Sequence, residues 1–364
     1  MKTMDFLTNS MLYLLFCVCL WVIYQIRGMA QVAAVPVNLV WRFIRMIIPL
    51  PLRNLLNRLT HWLLFERHCL YQIIYILVVL GGHCILFSQI IPVLYRYSDR
   101  ENHLFLVLAL LFCNGFCYTM VCMTDPGVIS PRNFPVYSQI YAFDRVIYSP
   151  KECVTCPHII PARARHCSRC DHCVFRFEHH CVWTNCCIGG ENYSHFLLFI
   201  ASSLAMVVNS LRLEIRMLCD YTKHERLWSA QYLGEDGEAH DMSWPALIQH
   251  LFMSFPLVVA MVAVLCIIGL FLGGYTAFHA WLVCTNQTSY EYSRNPKRPT
   301  QMTTNKTNGK IFGDGGHFIN PSHSTHPYDR GIWSNLCEIF GFSVRDSLRE
   351  LRRRLPVQMD FKTR

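Results

Sequence analysis

The chain has 364 residues, of which 52% are hydrophobic and 16% charged, and it carries a net charge of +9. Soluble domains average roughly one charged residue in four, so this composition excludes a disordered chain and argues against a water-soluble globule. Nineteen cysteines in a chain of this length are too dilute for a small disulfide scaffold and need another explanation. A spanning helix needs about 20 mostly apolar residues, and five stretches free of Asp, Glu, Lys and Arg meet that need. Phe6–Ile26 is the first; no Ala-x-Ala cleavage signal follows it, so a retained helix is expected rather than a signal peptide. The connection 27–68 is basic, with six arginines against one acid. Within it, Leu52, Leu55, Leu56, Leu59, Trp62 and Leu63 fall at helical spacing opposite Arg53, Asn57, Arg58 and His61, the pattern of a helix lying in a membrane interface. Cys69–Tyr95 and His103–Thr124 form the second and third spans, and Tyr193–Leu211 the fourth. Met242–Tyr290 contains the fifth near Leu257–Val283, with Pro256 separating it from a shorter piece. The loop 212–241 has four basic and seven acidic residues, and the tail 285–364 has thirteen and seven. In the tail, Val344, Leu348, Leu351 and Leu355 make a second amphipathic stripe.

The positive-inside rule puts the N-terminus in the lumen, and the segments 27–68, 125–192 and 285–364 in the cytosol. The expected fold class is an all-α polytopic membrane protein of about five transmembrane helices, with a small cytosolic cysteine-rich domain between spans 3 and 4. The expected divisions are 1–68 (first span and amphipathic loop), 69–124 (hairpin of spans), 125–192 (cysteine-rich domain), 193–284 (two spans with a lumenal loop) and 285–364 (tail). Three glycosylation sequons, at Asn192, Asn286 and Asn305, fall on the expected cytosolic side and should stay unmodified.

Between Cys153 and Cys187 lie eight cysteines and five histidines in 35 residues. Cytosolic thiols stay reduced, so disulfides explain this density poorly. Zinc explains it well: four Cys and His ligands close a tetrahedron, and Cys-x2-Cys pairs supply two of them at a time. Two closed sites need eight ligands and the segment offers thirteen, so some side chains are spare. A segment this poor in large aliphatic residues would draw folding energy from metal ligation. At this point two readings stand. The segment is a plain zinc module, or one cysteine is kept free for chemistry.

The order Cys153-x2-Cys156, His166-Cys167-x2-Cys170-x2-Cys173, Glu178-His179-His180-Cys181 and Cys187 closely resembles the cysteine-rich domain of the DHHC-type protein S-acyltransferases, or palmitoyltransferases. Asp125-Pro126-Gly127 is similar to that family's Asp-Pro-Gly motif, and Thr288-Ser289-Tyr290-Glu291 to its Thr-Thr-x-Glu motif. Tyr328-x2-Gly331-x3-Asn335 is similar to its aromatic–Gly–Asn motif. The extra first span resembles the palmitoyltransferase 4 subgroup. The resemblance implies that Cys153, Cys156, His166 and Cys173 hold one structural zinc, and that Cys167, Cys170, His180 and Cys187 hold the other. It implies Cys181 as nucleophile, His179 as its base and Glu178 as the group orienting that base. It also implies palmitoyl-CoA as acyl donor and, as acceptors, proteins with cytosolic or juxtamembrane cysteines at an endoplasmic reticulum or Golgi membrane. Arg163, Arg165, Arg169 and Arg176 are candidates for the CoA phosphates. Membrane lipid is an expected partner; nucleic acid is not, for want of a recognition helix.

Two departures stand out. Glu178 replaces the family's Asp, keeping the charge on a longer arm, and Cys186 stands where Asn is common. The alternative function is a weak or inactive relative serving as a membrane adaptor through its zinc module.

Overall fold

The structure is a computed structural model that describes residues 50–97, 103–144, 147–233, 238–294 and 327–341. The expected first span, the stripe around 344–355 and the sequon at Asn305 lie outside the described residues. The chain separates into two units, Met1–Arg67 and His68–Arg364. In the first, α1 (Leu50–Phe65) matches the helix expected from the leucine spacing, with Pro51 in its opening turn. Leu55, Leu59 and Trp62 are exposed along it.

The second unit is a bundle with a small domain at one end. Among its described residues, four helices are long and apolar enough to cross a membrane. The first is a rod from Leu70 to Tyr97, made of α2 (Leu70–Ile85), a single wider turn (Leu86–Ile90) and α3 (Ile91–Tyr97). The wide turn has a local cause. Pro92 has no N–H to give and would crowd the carbonyl four residues back, and a π-turn just before it relieves both problems. The Ile91 N–H accordingly reaches back to the Leu86 carbonyl. The other three are α4 (His103–Met123), α6 (Tyr193–His224) and α8 (Pro256–Cys284). Large apolar side chains such as Phe105, Phe112, Leu270 and Phe271 point outward from these helices, as a lipid solvent permits and water does not.

The fourth expected span ends at Leu211, but α6 runs on to His224. Charge ends an apolar run without ending a helix: Arg216 and Asp220, one turn apart, pair at 3.6 Å. The expected loop 212–241 is correspondingly shorter and contains a hairpin, β5 (Gln231–Leu233) with β6 (Ala239–Asp241). Next come α7 (Trp244–Ser254) and, after a break at Phe255, α8, which places Pro256 where the sequence puts the boundary.

Inside the bundle, polar groups find each other. Asn114 on α4 donates to Ser202 (3.1 Å) and Ser203 (2.8 Å) on α6 and accepts from Tyr75 on α2. Unpaired, each would lose hydrogen-bonding capacity that lipid does not replace.

Between α4 and α6 the chain forms α5 (Phe134–Ile140) and two short hairpins, β1 (Arg165–Cys167) with β2 (His172–Val174) and β3 (His179–Cys181) with β4 (Cys186–Ile188). An aromatic stack supplies the domain's own small core. The Phe175 ring lies 4.5 Å from Tyr137 and 5.5 Å from Tyr141. Asp125 accepts from the Gly127 and Val128 N–H groups, closing a tight turn where Gly127 has φ +97°. A Cβ there would also sit 3.2 Å from Phe175 Cβ, so glycine is needed for both conformation and space. The Phe175 N–H donates to the Gly127 carbonyl, which ties this turn to the hairpins.

Candidate active site

Hairpin register explains how neighbouring residues reach different places. In β1–β2, His166 faces Cys173 directly across the ladder, and in β3–β4, His180 faces Cys187. Side chains alternate faces along a strand, so His166 and Cys167 must point to opposite sides. They do: His166 gathers with Cys153, Cys156 and Cys173, and Cys167 gathers with Cys170, His180 and Cys187. These groupings coincide with the two candidate ligand sets that the family resemblance implies. In each set the ligand atoms lie within 4.8 Å of one another. The His166 Nδ1 is 3.5 Å from the Cys153 and Cys156 sulfurs, and the His180 Nδ1 is 3.3 Å from Cys170 and 3.8 Å from Cys167 and Cys187. Bonds of about 2.3 Å to sulfur and 2.0 Å to nitrogen imply tetrahedral edges of about 3.5–3.8 Å, so both donor sets suit zinc. The Asp171 carboxylate lies 3.5 Å from the outer nitrogen of His166, where it can orient the ring. His158 and His172 belong to neither set.

The same alternation decides the fate of Cys181. His180 points into a ligand set, so Cys181 and His179 share the opposite face of β3, and Cys186 and Ile188 share it across the ladder. Cys181 is absent from both ligand sets and 7% exposed. It packs in an apolar cluster with Val121 of α4, Phe196, Phe199 and Ile200 of α6, and Val283 of α8. In the β3–β4 hairpin two thiols thus stand outside the cages and face the helices: Cys181, which follows His179 and His180, and Cys186 opposite it. The turn after Cys181 is clamped from the bundle: Tyr118 donates to the Trp183 carbonyl (3.0 Å) and Gln72 to the Thr184 carbonyl (3.2 Å).

His179 stacks edge-on to Phe196 at 5.3 Å, and its ring centre is 6.1 Å from that of His279, whose Nδ1 meets the Tyr193 hydroxyl at 2.9 Å. Burial first, then the nearby imidazoles of His279 and His180, hold His179 below the usual imidazole range. It is therefore neutral near pH 7. Glu178 is buried. Its Oε2 accepts from the Ser289 N–H at 2.9 Å, and the Ser289 hydroxyl donates to the Glu178 carbonyl, also at 2.9 Å. Burial pushes this carboxyl up to about 7, against the opposing pull of Arg176 and of Ser289. Among the described residues no hydrogen bond joins Glu178 to His179, so the longer arm serves the turn after α8 in this conformation.

Two of the arginines expected at CoA phosphates are committed elsewhere. Arg163 is 0% exposed. It forms a two-pronged pair with Glu291 at 2.8 and 3.0 Å, reaches the Asn286 side chain and carbonyl, and lies against the Tyr141 and Tyr328 rings. Burial alone would pull its guanidinium down, but Glu291, Tyr141 and Glu338 win and the net shift is upward. Arg176 is 3% exposed and donates to the same Asn286 oxygen at 3.2 Å. Neither has a face left for a phosphate. Arg165 lies half-buried with its guanidinium 3.8 Å over the Tyr290 ring, and Arg169 is also half-buried.

The Thr288–Glu291 motif therefore works as a brace, holding Arg163 through Glu291 and Glu178 through Ser289. Asn335, on α9 (Ile332–Phe340), caps the end of α8 by donating to the Cys284 carbonyl at 2.8 Å. Sequence reasoning missed Asn286 and Glu338. Asn286 accepts from both arginines and donates to the Tyr328 carbonyl and to Glu338. As a sequon asparagine with a fully engaged, buried amide it offers nothing to glycosylation, and Asn192, equally buried, is engaged by Cys187 and Gly189.

Comparison with known proteins agrees with this geometry. The DHHC palmitoyltransferase family pattern matches residues 146–296. Palmitoyltransferase ZDHHC4 of Rattus norvegicus is 30% identical over 354 residues, covering 93% of this chain and 96% of the relative. The Mus musculus protein of that name is 31% identical over 306 residues (79% and 84%), and the Bos taurus one 29% over 343 (93% and 96%). With two metal-competent cages, a free thiol against the membrane helices and this likeness over nearly the whole length, the chain belongs to the DHHC palmitoyltransferase family, membrane enzymes that acylate protein cysteines.

Proposed function

We propose that this membrane S-palmitoyltransferase works in two half-reactions through Cys181, with palmitoyl-CoA as donor and cytosolic or juxtamembrane cysteines of membrane-associated proteins as acceptors. A thiol attacks only as thiolate. The Cys181 proton passes to neutral His179, and the sulfur attacks the thioester carbonyl. The CoA thiolate leaves with that proton, and the palmitoyl group rests on Cys181. An acceptor thiol then repeats the exchange in the other direction, giving up its proton through the same imidazole and releasing Cys181. Two zinc ions in the cages supply fold rather than chemistry, since four protein ligands close each site. The acyl chain, at about 0.8 kcal/mol per buried CH₂, is held among the helices below Cys181. Arg165 and Arg169 remain the candidates for the CoA phosphates. We assign the cysteine-rich domain to the cytosolic face of an endoplasmic reticulum or Golgi membrane, following the excess of basic residues in the tail.

The observation that carries this reading is the Cys181 thiol, left out of both ligand sets and packed against the bundle. The test is incubation of the purified protein with radiolabelled palmitoyl-CoA. Wild type should form a hydroxylamine-sensitive acyl-enzyme. Cys181→Ser should fall at least about 10³-fold while keeping two zinc ions per chain, because a hydroxyl is far harder to ionise than a thiol. Equal labelling of the two proteins sinks the assignment.

Glu178 gives a second expectation. Restoring the family's Asp should slow acyl-enzyme formation by about tenfold, not speed it. The shorter arm withdraws the carboxylate from the Ser289 N–H, and a hydrogen bond to a charged group is worth about 1.5–3 kcal/mol. A faster Glu178→Asp protein in single-turnover labelling contradicts this account.

A further inference from the structure

The register that separates Cys181 from the cages also gives it a neighbour. Cys181 and Cys186 are direct partners across the β3–β4 ladder. Directly opposed side chains share one face, with Cβ atoms about 4.5–5.5 Å apart. Cys187, one residue on, turns the other way into a ligand set, whereas Cys186 belongs to neither set and packs on the same apolar cluster as Cys181. Its sulfur lies 3.3 Å from the Thr184 hydroxyl and 3.7 Å from the Val121 carbonyl, on the side of the membrane helices. The connecting turn is held at Trp183 and Thr184 by Tyr118 and Gln72, and His180 and Cys187 meet in one ligand set, and together these set the pairing.

We infer that Cys186 is a second acyl acceptor inside the site, loaded from Cys181. The inference rests on the reading of Cys181 as the nucleophile. The step is a thioester exchange. The Cys186 thiol gives its proton to His179, its sulfur bonds to the carbonyl carbon held by Cys181, the bond from that carbon to the Cys181 sulfur breaks, and the released thiolate takes the proton back. One thioester replaces another, nothing is oxidised or reduced, and the two acyl forms have similar free energy. Two sulfurs held on adjacent positions of one hairpin react as a unimolecular pair. The acyl tail stays among the same helices while its head moves one strand across. The regenerated Cys181 thiol can then take a second acyl group from the donor, so one chain stores two.

The experiment uses the full-length protein in phospholipid–detergent micelles with labelled palmitoyl-CoA. The readouts are acyl groups per chain and, by peptide mass spectrometry, their positions. Wild type should pass one acyl group per chain, with Cys181 filling first and Cys186 later. Cys186→Asn should stop at one group on Cys181 while keeping two zinc ions. Cys181→Ser should carry none at either position. A wild type that labels Cys181 but never Cys186 overturns this inference and leaves Cys181 as nucleophile. Undiminished label on Cys186 in Cys181→Ser overturns loading through Cys181. Wild type without label at Cys181 overturns both readings together.

Discussion

Arg163→Ala is expected to destabilise the cysteine-rich domain and its junction with the helices by about 3–5 kcal/mol, the cost of breaking a buried ion pair from one side. The change leaves the Glu291 carboxylate buried without its two-pronged partner and removes the cation packed against Tyr141 and Tyr328. It also removes two hydrogen bonds from Asn286, one at its side-chain oxygen and one at its carbonyl. Arg163→Lys should recover little, because an ammonium cannot reproduce the planar fork. Arg165→Ala is the control: a half-buried cation over one ring is worth about 1 kcal/mol. Thermal unfolding in detergent should separate the two arginines clearly. Acyl-enzyme formation should fall along with stability in Arg163→Ala, since the motif that carries Glu291 also carries Ser289, which holds Glu178. Equal melting temperatures for Arg163→Ala and Arg165→Ala would contradict the brace.

That brace marks where sequence reasoning stops. Four spans and the break at Pro256 are legible because lipid demands unbroken apolar runs. The ligand sets are legible because metal geometry forces Cys-x2-Cys spacing, although the residues alone left thirteen candidates and the division into two sets came from family resemblance. The sequence makes Arg163 a candidate for the CoA phosphates and carries no local signal of its burial. Glu291 is 128 positions away and Asn286 is 123, and no periodicity links them. The extension of α6 past Arg212 was hidden for a different reason, since the charge count marks where lipid ends and not where helical hydrogen bonding does. The Cys186 neighbour was visible as a residue but not as a partner, because register follows from the turn length and from His180 and Cys187 sharing one cage.

His180→Ala tests the dependence of the reactive face on the metal. The side chain is one of four candidate ligands in its set, and structural zinc contributes apparent folding free energies of about 10–16 kcal/mol at neutral pH. Three remaining thiolates hold zinc poorly, so metal content should drop from two per chain to one or fewer. The consequence for Cys181 is geometric. β3 and β4 are three residues each, far too short to hold register unaided. Their alignment depends on His180 and Cys187 converging on one ion and on the clamp from Tyr118 and Gln72. Without the ion, strand alternation no longer fixes which face Cys181 presents, and the thiol loses its place beside His179 and the apolar cluster. Acyl-enzyme formation should therefore fall as far as in Cys181→Ser, about 10³-fold or more, through a residue that never touches the acyl group. The two variants separate on metal content, because Cys181→Ser keeps both ions. Full labelling by a His180→Ala protein that has lost a zinc ion would mean that the cage does not position the nucleophile.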